Sequence, residues 1–133
     1  MARTLEDFEN YVISSNIPSE QAGPGTWLLH DDAWGGAQIV VHITEPLVIF
    51  RVKLAEVPAT LSDAKRAALF QRLLQLNASD MLQGAYALED QAIVAVEVMQ
   101  LENLDSNEFQ AAIDSLSQAI TDHRVELLGL LKD

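Results

Sequence analysis

Hydrophobic residues recur along the chain at two periods, one typical of helices and one typical of strands. Helical spacing predicts three helices. The first begins after Thr4, whose side chain can form a capping box with Asp7 three residues later. The second runs from about Ser62 to Asn77, and the third begins after Asp105 with Glu108 at its third position.

Alternation of apolar and polar residues predicts five strands. Neighbouring strands are separated by turn residues at Gly35-Gly36, Glu45-Pro46 and Glu89-Asp90. The segment from Ser19 to Gly25 contains Gly-Pro-Gly and is interpreted as a polar turn-rich connection. The five strands cover residues 26–30, 37–44, 47–54, 84–89 and 91–99.

The resulting order, α-β-β-β-α-β-β-α, predicts an α+β fold in which helices pack on an antiparallel sheet. Its 133 residues suit a single domain over 1–133. The second helix is apolar on more than one flank, and the last strand is apolar on both faces. A protomer with surplus apolar surface is expected to form a symmetric homodimer.

The net charge and composition limit the classes of partner that the protein is expected to bind. Eight Lys and Arg residues against 20 Asp and Glu residues give a net charge of −12, which disfavours nucleic acid and anionic membranes. The same charge favours a basic partner, but it is also typical of an ordinary acidic cytosolic protein. Without cysteines or an N-terminal hydrophobic signal core, we expect a cytoplasmic protein with neither disulfides nor cysteine-based zinc sites.

No catalytic motif is present, so the sequence predicts neither an enzyme nor a cofactor or metal site. His30-Asp31-Asp32 contains metal-binding residue types, but consecutive strand residues point to opposite faces, and a solvated turn is the preferred interpretation. His42 is expected to be structural, and His123 is expected at the edge of the apolar stripe of the last helix. Trp34 precedes two glycines and either folds onto the core or contacts a partner.

The run LLQLNASDMLQGAYALEDQAIVAVEVMQLENLD carries a resemblance to known proteins. It resembles the type III secretion chaperone-like superfamily, specifically the Tir chaperone (CesT) and YbjN families. The matching features are a helix ending in Leu-Asn, a glycine before the fourth strand, an acidic turn, a hydrophobic strand and a Leu-Asp helix start. They fall at Leu76-Asn77, Gly84, Glu89-Asp90, 93–98 and Leu104-Asp105.

The resemblance implies a non-enzymatic, homodimeric, chaperone-like protein that holds an extended segment of another protein on apolar surfaces of the first helix and first strands. With the loop tryptophan added, the expected partner-binding residues are Leu5, Phe8, Val12, Trp27, Leu29, Trp34, Ile39, Val41, Leu47 and Ile49. The expected dimer-interface residues, on the second helix and the last strand, are Ala68, Leu69, Arg72, Leu76, Val94 and Val96.

Two alternatives remain open at this stage. The first is a regulatory protein of the YbjN type with an unidentified partner. The second is a small ligand-binding or enzymatic domain that uses the sheet face around His30 and His42, which would require a deep pocket containing both imidazoles.

Overall fold

The computed structural model describes residues 4–81 and 83–132. Three helices and six strands are found there, together with one short 3-10 turn at Asp32–Trp34. The elements in chain order are α1 Leu5–Ser14, β1 Ser19–Gly23, β2 Thr26–Leu29, β3 Ile39–Thr44, β4 Leu47–Glu56, α2 Asp63–Ser79, β5 Ala85–Glu89, β6 Ala92–Gln100 and α3 Ser106–Leu130.

The predicted α+β fold is confirmed, with one more strand than the sequence pattern indicated. β1 pairs antiparallel with β2 in the segment interpreted above as a turn-rich connection. Gly23 and Gly25 adopt positive φ angles of 136° and 73°, which let the chain reverse within the Gly-Pro-Gly sequence. β1 lacks apolar alternation because it is an edge strand whose side chains are mostly exposed.

The strands form one sheet in the order β1-β2-β3-β4-β6-β5, and all neighbours are antiparallel. β4 lies between β3 and β6, and its register with β6 extends from Leu47 opposite Gln100 to Glu56 opposite Ala92. α2 connects β4 to β5, so that the β5–β6 hairpin returns to pair with β4. The long β4–β6 ladder therefore joins the two halves of the chain.

The core lies between the sheet and all three helices, on the face called here the inner face. An aromatic cluster stands at its centre, with ring centroids of Phe8 and Trp27 5.1 Å apart, those of Phe8 and Phe109 5.3 Å apart, and those of Phe50 and Phe109 5.8 Å apart. These four rings come from α1, β2, β4 and α3. Tyr11 extends the cluster and donates its hydroxyl to the Leu104 carbonyl at 3.1 Å.

The predicted helix starts are confirmed by their caps. Thr4 and Asp7 form the capping box of α1, and Asp105 and Glu108 form that of α3. The Ser62 side chain accepts from the Lys65 amide at the start of α2. These local interactions fix where each helix begins, independently of the sheet.

Asn77 closes the outer edge of β5. Its Nδ2 donates to the Tyr86 carbonyl at 3.2 Å, and its Oδ1 accepts from the Tyr86 amide at 2.6 Å. A side-chain amide thus replaces the two main-chain bonds that a further strand would make. The same pair of bonds fastens the C-terminal turn of α2 to the sheet.

We expect Asn77→Ala to lower the free energy of unfolding by about 1–3 kcal/mol, because it leaves a half-buried amide and carbonyl of Tyr86 without partners. Urea unfolding followed by circular dichroism measures the change. The control is Gln71→Ala, an exposed position of the same helix. Equal stabilities of the two variants would contradict the assigned role of Asn77.

Candidate binding surface

The face of the sheet opposite the helices, called here the outer face, carries several apolar side chains on neighbouring strands. Strand alternation directs half of the side chains of β2, β3, β4 and β6 to this face. Ile49 of β4 lies opposite Val98 of β6, and Leu28 of β2 lies opposite Val40 of β3. We define the outer-face patch as Leu28, Val40, Leu47, Ile49, Val96 and Val98.

The outer-face patch is accessible. Val98 is 47% exposed and Leu47 is 36% exposed, while the other four members are half-buried by their neighbours in the sheet. Grouped exposed apolar side chains on the surface of a folded protein often mark an interaction site.

The ten predicted partner-binding residues divide between the core and the surface. Leu47 and Ile49 lie in the outer-face patch, and Leu5 is 40% exposed on α1. The other seven side chains are buried inside the protomer, so this conformation does not offer them to a partner. These seven are Phe8, Val12, Trp27, Leu29, Trp34, Ile39 and Val41.

This division follows from which face of the sheet the helices cover. β2 and β3 alternate as expected, but the helices cover the face with Trp27 and Val41 rather than the face with Leu28 and Val40. Trp34 is 2% exposed and donates its indole Nε1 to the Ser117 hydroxyl at 2.8 Å. Of its two alternatives, the structure therefore shows the tryptophan folded onto the core.

The predicted dimer-interface residues are also divided. Leu69 and Leu76 are buried in the core of the protomer. Arg72 forms a salt bridge with Glu126 of α3. Of the set, Ala68 and Val96 have accessible apolar side chains. α2 instead exposes Leu74, at 69% of its surface.

Val94 belongs to the outer face but is buried, at 2% exposure. Arg51 and Glu89 form a salt bridge of 3.1 Å, and their sheet partners Val96 and Ala92 lie on either side of Val94 along β6. The bridge therefore crosses above Val94 and shields it from water.

His30 and His42 do not share a site. His42 lies opposite Thr26, with its Nδ1 2.6 Å from the Thr26 hydroxyl, whereas His30 follows the other end of β2 and accepts from Gln38 at 3.4 Å. The depression beside His30 is lined by 31, 32 and other turn residues, and His42 is not part of it. The ligand-binding alternative required one pocket containing both imidazoles, whereas the two rings lie at opposite ends of β2.

The turn interpretation of His30-Asp31-Asp32 agrees with the structure. The Asp31 carboxylate accepts from the Ala33 amide at 2.8 Å and caps the 3-10 turn. Among residues 4–81 and 83–132, no group of three His, Asp or Glu side chains is placed to hold one metal ion. No helix within these ranges is both long and apolar enough to cross a membrane.

A set of hydrogen-bonded polar side chains, Asp80, His123 and Tyr86, joins the C-terminal end of α2 to α3 and β5. Nε2 of His123 donates to the Asp80 carboxylate at 2.9 Å, and Nδ1 of His123 lies 2.7 Å from the Tyr86 hydroxyl. His123 was expected at the edge of the helix stripe but is 6% exposed. Phe109, Leu116 and His123 follow one another at seven-residue intervals, and this spacing is the sequence signal that His123 points inward.

The surroundings of these side chains shift the pKa values of Asp80 and Tyr86. Hydrogen bonds from Ser79 and then from His123 lower the pKa of the Asp80 carboxyl. Burial, followed by the negative charges of Asp122, Asp80 and Glu126, raises the pKa of the Tyr86 phenol well above its ordinary value. Tyr86 therefore stays protonated and serves as a hydrogen-bonding group.

A family model, CesT_Tir_1, matches residues 1–133, and the chain therefore belongs to the CesT_Tir_1 family. The resemblance drawn from the sequence is confirmed by this match. Among curated proteins, none matches the chain.

Several solved structures share this fold, including the following three. A chain of the heterodimeric ExoU-SpcU complex, from the type III secretion system of Pseudomonas aeruginosa, matches with TM-score 0.66 and 20% identity over 92% of this chain and 96% of that chain. YbjN of E. coli, a proposed transcription regulator, matches with TM-score 0.70 and 13% identity over 95% of each chain. A chain of the HopA1-SchA chaperone–effector complex matches with TM-score 0.64 and 12% identity over 90% of this chain and 91% of that chain.

The lowered pKa of Asp80 predicts a pH-dependent contribution to stability. A carboxyl whose pKa falls on folding stabilises the protein above its unfolded pKa, and this effect is lost as the pH falls through the folded pKa. Asp80→Asn should therefore be less stable than the parent at pH 7, and the difference should shrink below about pH 4. Urea unfolding at pH 7, 4 and 2.5 measures this. Glu102→Gln, an exposed loop change, is the control, and parallel pH profiles for Asp80→Asn and the parent would refute the assignment.

Proposed function

We propose that this protein is a non-enzymatic, cytoplasmic, chaperone-like module that binds an extended segment of a partner protein and acts as a homodimer. The observation that carries the proposal is the outer-face patch, an accessible apolar surface in a chain of net charge −12. Membership of the CesT_Tir_1 family supports it, as does the shared fold with chains of the ExoU-SpcU and HopA1-SchA complexes.

An extended segment fits the geometry because the two edges of the sheet differ. At β5 the amide and carbonyl of Tyr86 are occupied by Asn77, whereas β1 is the terminal strand at the opposite edge. A segment that adds to β1 would pair with the free main chain of that strand, and β1 would separate it from β2 and Leu28. Main-chain pairing would supply affinity at this edge, and apolar residues of the same partner that continue across the outer face would contact the outer-face patch.

Charge favours a basic segment. The Lys and Arg side chains of β4, α2 and α3 already have hydrogen-bond or salt-bridge partners within the chain. The excess carboxylates therefore give most of the surface a negative potential, which attracts a basic partner. Long-range attraction of this kind raises association rates and weakens as salt is added. The proposed partner therefore combines apolar residues with Lys or Arg.

A regulatory protein of the YbjN kind is the second candidate, because the YbjN fold covers 95% of this chain. Both candidates bind protein and use no catalytic group. The identity of the bound partner separates them, since an exported protein supports the chaperone and a component of the transcription machinery supports the regulator.

We expect Val98→Asp to reduce partner capture about tenfold or more, because it places a charge at the most exposed position of the apolar patch. The measurement is quantitative mass spectrometry of proteins retained from the native lysate at low salt. Val125→Asp is the matched control, since Val125 is 82% exposed on α3 and lies outside the patch. Equal capture by Val98→Asp and Val125→Asp would exclude the outer-face patch as the binding surface.

For the homodimer we propose an interface on the exposed flank of α2 that includes Ala68 and Leu74. Leu74→Asp should convert a dimer to a monomer in size-exclusion chromatography with light scattering. Leu69 and Leu76 are poor probes, because charging a core side chain would unfold the protomer. Ile13→Asp, at an exposed position of α1, is the control. A monomeric parent protein would refute the dimer, and an unchanged dimer would refute this interface.

A further inference from the structure

A groove beyond the end of β3 gathers three cations and no carboxylate. Arg51, Lys53 and Arg124 line it, together with the 36–38 segment, Val40 of β3, and Leu54 and Ala55 of β4. The chain as a whole has 8 Lys and Arg residues against 20 Asp and Glu residues, so this local excess of positive charge runs against its composition.

The fold explains how the three side chains meet. Arg51 and Lys53 both point to the outer face of β4, two residues apart. β3 begins at Ile39, which lies opposite Val52, so Lys53 lies beyond the last residue of β3 that pairs with β4. Arg124 enters from α3, where its Nη1 donates to the carbonyls of Trp34 and Gly35 at 3.0 and 3.1 Å.

Both guanidinium groups retain donors without acceptors. Arg51 uses Nη2 for Glu89, and Arg124 uses Nη1 for the two carbonyls. The Nε atoms of Arg51 and Arg124 are buried and have no hydrogen-bond partner. Since a guanidinium offers five N–H donors and buried donors are normally paired, two such groups at one groove indicate a missing acceptor.

We propose that this groove binds an oxyanion, either a carboxylate or a phosphate group. The planar guanidinium groups present paired N–H donors suited to two oxygens of one anion, and Lys53 supplies a compact positive charge. The binding does not depend on the function proposed above and can be tested with the protein alone.

Two carboxylates compete with the ligand. Glu89 holds Arg51 at 3.1 Å and Glu56 holds Lys53 at 2.7 Å, yet neither lines the groove. Both salt bridges are exposed and therefore weak, so an anion in the groove can draw on the same two cations. Removing Glu89 frees the donors of Arg51 and strengthens binding.

The test is a titration of the isotope-labelled full chain with sodium phosphate at constant ionic strength, with sodium chloride as the reference salt. Nuclear magnetic resonance follows the Nε–H signals of Arg51 and Arg124 and the amide of Gly36. We expect saturable shifts with phosphate, weakened about tenfold in Arg51→Gln and in Lys53→Gln. Glu89→Gln should bind about threefold more tightly. Arg72→Gln, which removes an equal charge outside the groove, should bind as the parent does.

A tetraglutamate peptide distinguishes the two sources of the anion. Competition with phosphate for the same shifts supports a side-chain carboxylate as the ligand, and phosphate binding without competition supports the free ion. Shifts that do not saturate with either ligand would overturn the proposal. Equal weakening in Arg51→Gln, Lys53→Gln and Arg72→Gln would also overturn it, because bulk charge alone would then explain the binding. The spectra themselves report whether each variant is folded.

Discussion

The three helices pack on one face of the sheet, and the features proposed to bind partners follow from this one-sided packing. A strand sends alternate side chains to the two faces, so a sheet with apolar residues on both faces needs two covers or leaves one face exposed. Here the aromatic cluster around Phe109 packs α1 and α3 on the inner face. The outer face keeps Ile49 and Val98 accessible as a consequence.

Polar contacts then define the limits of the exposed surface. Asn77 occupies the main chain of β5 at one edge, while β1 forms the other edge. The Arg51–Glu89 bridge covers Val94, and Arg51 also lines the cationic groove together with Val40 of the apolar patch. The same sheet face therefore carries apolar side chains and a cluster of cations that adjoin each other.

Family membership and surface chemistry agree on the class of function. The chain belongs to the CesT_Tir_1 family, and its fold matches chains of the ExoU-SpcU and HopA1-SchA complexes as well as YbjN. A fold shared by such different systems does not itself specify a partner. The particular side chains of the outer face and groove are what would distinguish this member, since these positions contribute least to the core.

The sequence by itself determined the helix starts at Thr4, Ser62 and Asp105, the alternation of five strands and the family, because caps and periodicity are local properties of the chain. It could not assign faces. Trp27 and Val41 alternate with Leu28 and Val40 in the same way whichever side the helices cover. It also missed β1, because an exposed edge strand has no apolar period to detect. The covered face of the sheet, the shielding of Val94 and the groove lined by both Arg124 and Arg51 became visible in the tertiary structure alone. Each depends on packing between segments far apart in the chain.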